Sequence, residues 1–226
     1  MDANEDTLEA LGRYALRFVK PGRTIGLGTG RAASAFIRAL GASGIAVRGV
    51  PTSKASEELG RSVGIPIVTL EEAGKIDTDF DGADEVDRRL NLIKGYGGAL
   101  VREKIVVASS RRFIVLVGEE KMVPKLGHRG SLPVEVVPFG VPLATRMIKA
   151  LGLRPRVREN PGNQFVTDNG NLILDCGVKA IENPARLDRE IREIPGVVGT
   201  GLFVGMADIV LVAESSGKIG VHKHKR

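Results

Sequence analysis

Apolar residues in the first half of the chain alternate between short β-like runs and helical faces. Residues 8–18 carry apolar side chains at helical spacing, and Pro21-Gly22 ends that pattern. The following segments continue the alternation, with strands predicted over 24–27, 45–50, 66–68, 76–80 and 113–117 and helices over 33–40, 55–63 and 99–109. Strands that alternate with helices predict parallel βαβ units and hence an α/β fold.

The pattern changes after a linker at 125–133 that is rich in glycine and charge. The predicted elements are then strand 134–137, helix 142–151, strand 154–158, a hairpin turning at Asn169-Gly170, helix 184–194 and strand 197–203. This order resembles the split βαββαβ unit, which indicates a small α+β domain inserted into the first. Two last strands, at 209–213 and 219–221, are expected to return to the main sheet. We therefore predict one domain from 1–130 with 204–226 and a second from 131–203.

The composition is that of a globular protein that contacts no membrane. Hydrophobic residues make up 42% and charged residues 27% of the chain, and no stretch reaches the ~20 apolar residues of a membrane span. The acidic, polar start at 1–10 is unlike a signal peptide, so we expect a cytoplasmic protein. Cys176 is the only cysteine, which excludes an intramolecular disulfide and a thiolate zinc cluster and fits a reducing compartment.

The net charge of +6 raises the question of a nucleic-acid partner. Lys and Arg residues are spread along the chain, and only the tail at 222–226 forms a basic cluster. With two Tyr and no Trp, the chain has few aromatic platforms on which bases could stack. We therefore expect no nucleic-acid partner and attribute the basic excess to a small anionic substrate. His128, His222 and His224 do not form a ligand set, so we expect no metal and surface positions for all three.

A glycine turn, Gly28-Thr29-Gly30, lies where a predicted strand changes into a helix. Glycines at such a turn let backbone N–H groups and the positive helix end surround an anion, although a purely structural turn remains an alternative. Arg31 occupies the position where a dinucleotide-binding fingerprint needs glycine. The Gly-Lys-Ser/Thr ending of the Walker nucleotide-binding loop is also absent. Gly26 together with the turn does satisfy the pattern of S-adenosylmethionine-dependent methyltransferases, but residues 47–50 lack the acid that would hold a ribose. The turn therefore favours a phosphate group over a nucleoside.

Three carboxylates and a lysine follow later strands of the same predicted sheet. Asp81 and Asp84 lie in a loop that starts like a calcium loop, but Arg88 stands where the bidentate glutamate is required. Glu103 follows the glycine-rich run after Lys94, and its neighbours alternate in charge, as on a solvated helix face. Taken singly, the two Asp residues are most simply turn or cap residues. Because ligands bind at the carboxyl ends of parallel strands, we predict that one cleft holds the phosphate turn and these groups together.

Several of these segments resemble the ribose-5-phosphate isomerase A family, and the similarity runs through almost the whole chain. Its most specific blocks are Gly26–Gly30, Asp81–Glu85, Lys94–Lys104, Pro133–Val136 and Val166–Asn171. The resemblance implies a Rossmann-like parallel sheet with helices on both faces and an inserted α+β ferredoxin-like lid domain. It also implies an isomerase that interconverts D-ribose 5-phosphate and D-ribulose 5-phosphate in the pentose phosphate pathway, with no cofactor. Enzymes of this kind are commonly symmetric, so we expect a homodimer or homotetramer.

The resemblance also carries over to individual residues. Glu103 is the implied base of proton transfer through an enediolate, and we expect Lys94 to stabilise the oxyanion, Asp81 to open the sugar ring and Asp84 to orient the open chain. The implied substrate-binding residues are Gly28, Thr29, Gly30, Arg31, Ala32, Gly82, Ala83, Gly95, Tyr96, Gly97 and Lys121. Arg31-Ala32 replaces the usual Ser-Thr, and we expect the Arg31 guanidinium to bind the phosphate instead. Tyr96 replaces a glycine, and its ring is expected to narrow or cover the cleft.

Other classes of function stay open at this stage. A non-catalytic phosphosugar-binding sensor could use a similar fold, and a methyltransferase that uses S-adenosylmethionine is the interpretation left by the glycine turn. A sugar-phosphate deaminase or lactonase would be expected to use a histidine base in the cleft, and none of the three histidines is a candidate. Turnover of ribose 5-phosphate would separate the isomerase from all of these.

Overall fold

A computed structural model describes residues 3–223 of the chain. Its helices are α1 Glu5–Ala15, α2 Arg31–Ser43, α3 Lys54–Ser62, α4 Leu70–Ala73, α5 Leu100–Ala108, α6 Val141–Ala150 and α7 Pro184–Arg192. Its strands are β1 Thr24–Leu27, β2 Arg48–Pro51, β3 Thr78–Gly82, β4 Glu85–Val86, β5 Leu92–Ile93, β6 Phe113–Gly118, β7 Ser131–Val136, β8 Arg154–Val157, β9 Glu159–Asn160, β10 Asn163–Gln164, β11 Leu172–Gly177, β12 Val197–Thr200, β13 Leu202–Phe203, β14 Ile209–Ala213 and β15 Ile219–Lys223. None of the helices in this range has the length and apolar character needed to cross a bilayer. His224, in the predicted basic tail, lies outside the described residues.

The described residues form two compact units. Within the described residues, the first contains 3–83, 102–122 and 206–223, and the second contains Asp84–Val101 and Val123–Gly205. The predicted domain boundaries at 130/131 and 203/204 differ from this division, because β5 pairs with both β4 and β13 in the second unit. Ile93 of β5 also belongs to the hydrophobic core of that unit. The boundaries drawn from the sequence therefore stay a prediction.

The first unit is built on a six-stranded sheet in the order β15-β14-β6-β3-β1-β2. Neighbouring strands are parallel, as predicted, except that β15 pairs antiparallel with β14 at one edge. The predicted strand at 66–68 is wrong, since it contributes only one bridge, between Ile67 and Gly49. Pro66 has no N–H to donate to a ladder, which limits pairing beyond β2.

Helices cover both faces of this sheet. On one face, α1 and α2 pack against side chains of β1, β3 and β6, and the rings of Phe36 and Phe80 stack with centroids 4.3 Å apart. On the other face, Val106 of α5 packs with Val50 and Ile76. Alternate residues of a strand point to opposite faces, so the fully buried strands read as continuous apolar runs. The predicted α/β class with helices on both faces is confirmed.

The second unit contains a four-stranded antiparallel sheet in the order β12-β7-β11-β8. Helix α6 connects β7 to β8, and α7 connects β11 to β12, which is the connectivity of the split βαββαβ unit. One face of the sheet and both helices enclose a core that includes Val134, Ile148, Leu174 and Ile191. The predicted ferredoxin-like α+β arrangement is therefore confirmed. The short strands β4, β5, β9 and β10 were missed, because two-residue strands leave no periodic signal.

Candidate active site

The predicted phosphate turn lies between β1 and α2 in the first unit. Gly30 is the residue before the first turn of α2, and no side chain caps this helix end. Its φ of 102° is in the region that only glycine adopts without strain. The first backbone N–H groups of a helix have no partner within the helix and are well suited to an anion. Arg31 and Ala32, whose predicted role is substrate binding, are the first two residues of α2.

Two buried carboxylates of β3 explain the other glycines of the motif. A Cβ atom on Gly26 would overlap Oδ1 of Asp79, and one on Gly28 would lie 2.5 Å from Cα of Asp81. Both aspartates are fully buried, and they point to the same side of the strand because side chains alternate with a period of two. Only Gly30 of the three is needed for its backbone conformation. The Gly-x-Gly-x-Gly pattern therefore reflects space for two carboxylates as well as the backbone conformation of the predicted anion turn.

Asp81 connects the end of β3 to the phosphate turn. Its Oδ1 atom accepts hydrogen bonds from the backbone N–H of Thr29, at 2.9 Å, and of Gly82, at 2.7 Å. The N–H of Gly28 donates to the carbonyl of Phe80 in the same strand. Asp81 and Gly82, expected in a loop, are in fact the last residues of β3. The structure thus brings the predicted carboxylate and the predicted anion turn together at the carboxyl edge of the sheet.

A cluster of hydroxyl groups beside the turn was not anticipated from the sequence. The Thr29 hydroxyl lies 2.8 Å from those of Thr52 and Ser53, which follow β2 on the neighbouring strand. Thr52 is fully buried and also donates to the carbonyl of Leu27. Ser53 caps α3 in a capping box with Ser56. This N-cap signature before a helix is the sequence signal by which Ser53 could have been recognised. The cluster fixes the orientation of the one hydroxyl in the turn.

Glu103 lies in the first turn of α5 and is only 4% exposed. The end of this helix is near the amino end of β3, since the N–H of Arg111 donates to the carbonyl of Ile76. Val106 lies over Gly26 in the middle of β1. Glu103, one helical turn earlier, therefore lies toward the carboxyl edge, about 5 Å further along the helix axis. The alternating charges around Glu103 suggested a solvated face, but its carboxylate is buried.

Lys121 follows β6 in a short 3-10 helix, Glu119–Lys121, and is half-buried. Strand β6 is the neighbour of β3, so Lys121 also comes after the carboxyl end of a central strand. Arg31 is exposed, and its guanidinium donates a 3.0 Å hydrogen bond to the carbonyl of Ala3. Ala83 is the last residue of the first unit's leading segment. These residues complete the predicted set in the first unit.

The remaining predicted residues, Asp84 and Lys94–Gly97, belong to the second unit. Lys94 is 2% exposed, its N–H donates to the carbonyl of Gly201, and its ammonium lies 5.7 Å from the centre of the Phe203 ring. Oδ2 of Asp84 accepts a 3.0 Å hydrogen bond from the N–H of Tyr96. Gly95 has φ of 107°, which explains glycine at this position. The loop, the lysine and Asp84 are therefore brought together within this unit.

Tyr96 is partly exposed, and its hydroxyl donates to the carbonyl of Ser131 at 3.3 Å. Burial of the ring raises the pKa of Tyr96 to about 12, and the nearby carboxylates of Asp84 and Glu85 add to this shift. The phenol therefore stays neutral at physiological pH. Among residues 3–223, no group of three or more His, Cys, Asp or Glu side chains is arranged to hold a metal ion.

Comparison with known proteins gives one family. The family model described as ribose 5-phosphate isomerase A (phosphoriboisomerase A) matches residues 48–217. A ribose-5-phosphate isomerase A of Roseiflexus sp. (strain RS-1) is 49% identical over 216 residues, covering 92% of each chain. The protein of the same name from Thermomicrobium roseum is 46% identical over 218 residues, covering 94% of this chain and 92% of its own.

Solved structures agree with this similarity in sequence. Ribose 5-phosphate isomerase A of Methanocaldococcus jannaschii superposes with a TM-score of 0.93 at 40% identity, covering 98% of this chain and 100% of that chain. A D-ribose-5-phosphate isomerase in complex with phospho-erythronic acid superposes with a TM-score of 0.94 at 36% identity and the same coverage. The resemblance first seen in the sequence blocks is therefore confirmed over nearly the whole chain. The chain belongs to the ribose 5-phosphate isomerase A family.

Proposed function

We propose that the chain is a ribose-5-phosphate isomerase, which interconverts D-ribose 5-phosphate and D-ribulose 5-phosphate through an enediolate. The observation that carries this proposal is the buried carboxylate of Glu103 on α5, in the same unit as the anion turn and Asp81. Isomerisation of a phosphorylated aldose needs an anion site and a base, and the uncapped end of α2 and the buried carboxylate of Glu103 support these two roles. The family to which the chain belongs carries this activity in its name.

The anion turn is proposed to hold the phosphate of the substrate. Its support is the uncapped end of α2, where backbone N–H groups and the helix dipole favour a negative charge. Arg31 adds an exposed guanidinium at the first position of this helix, and Lys121 a half-buried ammonium after β6. A relative that is 36% identical binds phospho-erythronic acid, a phosphorylated ligand. The phosphate would anchor one end of the sugar.

Glu103 is proposed to move the proton between the two adjacent carbons. The carboxylate removes the proton from C2 of the open-chain aldose, the C1–C2 double bond forms, and negative charge develops on O1. The carboxylic acid then returns its proton to C1, while the O2 hydroxyl loses a proton and O1 gains one. Because C1 and C2 are neighbours, one carboxylate can serve as base and then as acid. The burial of Glu103 supports this role, since exclusion of water keeps the transferred proton on the residue.

Lys94 is proposed to stabilise the developing oxyanion, because its ammonium is a fixed positive charge that bulk water does not screen. Asp81 is proposed to assist ring opening and proton movement between the hydroxyls, and Asp84 to orient the open chain. The hydrogen bonds that fix Asp81 and Asp84 support these positioning roles. Proton transfer of this kind requires neither a metal nor a cofactor. We further propose a cytoplasmic homodimer or homotetramer, for which the single buried cysteine and the symmetry common among such enzymes are the support.

Incubation of the purified protein with ribose 5-phosphate tests the proposed function. We expect a ketopentose phosphate to form, and with ribose 5-phosphate deuterated at C2 we expect part of the deuterium at C1 of the product, because the proton passes through the enzyme base. Ribose without phosphate is the control and should react far more slowly. Binding of ribose 5-phosphate without any ketopentose would contradict the proposal and favour the phosphosugar sensor. Methyl transfer from S-adenosylmethionine would favour the methyltransferase.

A further inference from the structure

An arginine of the second unit holds the glycine-rich loop that follows Lys94. Nη1 of Arg158 donates hydrogen bonds to the carbonyl oxygens of Gly95 and Tyr96, both at 2.9 Å. Its Nε and Nη2 donate to the two carboxylate oxygens of Asp175, at 2.8 and 2.6 Å. Four charge-assisted hydrogen bonds therefore join one guanidinium to a strand carboxylate on one side and to the loop backbone on the other.

The Arg158–Asp175 pair is a rigid structural element. The Arg158 side chain is 13% exposed, and its own backbone N–H donates to the carbonyl of Ile173 on β11. A bidentate carboxylate fixes the plane of the guanidinium and neutralises its charge. An arginine used to bind a phosphate would instead keep its fork open to the ligand. The geometry is that of a group that orients carbonyls.

The same loop is fixed by two further contacts. The N–H of Tyr96 donates to Asp84, so the Gly95–Tyr96 peptide group is held at its N–H by Asp84 and at its carbonyl by Arg158. Gly98 lies against the ring of Phe165, where a Cβ atom would be 2.7 Å from Cε1. The guanidinium of Arg158 lies 5.5 Å from the centre of that ring. Arg158 thus contacts both the loop backbone and the ring that packs against Gly98.

We propose that Arg158, held by Asp175, is a positioning residue of the isomerase: it fixes the Gly95–Tyr96 backbone and through it the ammonium of Lys94 and the carboxylate of Asp84. This inference rests on the proposed function, in which those two groups act on the sugar. Lys94 directly precedes the held peptide groups, and Asp84 receives a hydrogen bond from one of them. A shift of about 1 Å in catalytic groups is enough to cost a large factor in rate.

Arg158→Lys is the informative variant, because it keeps the positive charge and removes the planar guanidinium group with its several N–H donors. One ammonium cannot contact both oxygens of Asp175 and two carbonyls at fixed angles. We expect kcat for ribose 5-phosphate to fall about 10- to 100-fold while KM changes less than about 3-fold, since the proposed phosphate site is elsewhere in the chain. Arg158→Ala should lose at least as much, and added guanidinium should restore part of its kcat. Arg156→Lys, an exposed position two residues earlier, is the matched control and should keep the wild-type kcat.

A second readout follows the loop without using activity. The chain has two tyrosines and no tryptophan. In the Tyr14→Phe variant the tyrosine fluorescence therefore comes from Tyr96 alone, which lies on the loop. In that background, Arg158→Lys should make Tyr96 more accessible to acrylamide quenching, measured at a temperature well below the Tm of both proteins. Equal kcat for Arg158→Lys and wild type, or unchanged quenching of Tyr96, would overturn the inference. An inactive wild-type enzyme would instead overturn the proposed function, and the quenching would then still decide whether Arg158 fixes the loop.

Discussion

Cys176 gives a residue-scale test of burial in the second unit. The thiol is fully buried in β11, and burial, together with the charge of Asp175, raises its pKa to about 12 from an ordinary value of 9.0. In the unfolded chain the thiol ionises near its ordinary pKa, whereas in the folded chain it does not. Cys176 therefore reduces stability only as the pH rises above 9, and its effect grows until about pH 12.

We expect native protein to react very slowly with a thiol reagent at pH 8 and the unfolded protein to react at once. The unfolding midpoint should fall as pH rises from 9 toward 12, and Cys176→Ala should lessen that fall. Because the chain contains one cysteine, the reagent reports this thiol alone. Rapid stoichiometric labelling of the native protein at pH 8 would contradict the buried position.

Arg31 is the first residue of α2, where we expect its guanidinium to contact the phosphate of the substrate. Arg31→Ala should raise KM for ribose 5-phosphate about 5- to 10-fold and leave kcat nearly unchanged, because a lost phosphate contact weakens ground state and transition state alike. Arg38→Ala, an exposed arginine further along α2, is the control and should leave both constants unchanged. Steady-state kinetics of the two variants provides the measurement, and a loss of kcat at constant KM would argue against a phosphate role.

At the residue scale, the sequence indicated the candidate chemistry but could not rank its members. The charges around Glu103 are those of a solvated helix face, and only the family resemblance singled this residue out. Its burial depends on contacts between α5 and the sheet, which periodicity cannot show. Thr52 and Arg158 were missed because their partners lie 23 and 63 residues away along the chain, in Thr29 and Gly95.

At the element scale, strand β1 is shaped by the side chains of its neighbour β3. Gly26 leaves room for Asp79, and its missing Cβ would also lie 2.7 Å from Cγ1 of Val106 on α5. Gly26→Ala should therefore destabilise the protein by about 1–3 kcal/mol, because strand, carboxylate and helix cannot all move aside. Thermal unfolding measures this loss.

Gly220→Ala is a suitable control for that experiment. Gly220 lies on the edge strand β15. A Cβ atom added there would have the flexible end of the Glu214 side chain as its nearest neighbour, at 3.2 Å. We expect little change in Tm for this variant. Equal Tm values for Gly26→Ala and wild type would show that the space beside Asp79 is larger than the structure indicates.

The elements that were predicted correctly are those with a long periodic signal. Apolar runs predicted β6 and β14, and apolar residues at helical spacing predicted α2 and α5, each within a few residues. The elements that were missed, such as α4 and the β4–β5 pair, span four residues or fewer. Short strands of this kind are defined by their partners in the fold rather than by their own sequence.

At the scale of the whole molecule, the order of strands and helices predicted both sheets and the connectivity of the second unit. It did not predict which unit the segment at 84–101 joins, since that depends on pairing of β5 with β13 across more than 100 residues. This segment carries Asp84 and Lys94, which we propose to act on the sugar. Asp81 and Glu103 belong to the first unit, and Asp84 and Lys94 belong to the second.

The central claim is that Glu103 carries the proton between C2 and C1 of the sugar, and the kcat of Glu103→Gln tests it most directly. Glutamine keeps the size and polarity of the side chain but cannot accept the proton. We predict that kcat for ribose 5-phosphate falls by ~10² or more while substrate binding, measured by calorimetry, stays close to that of the wild type. A Glu103→Gln enzyme with near wild-type turnover would contradict the account.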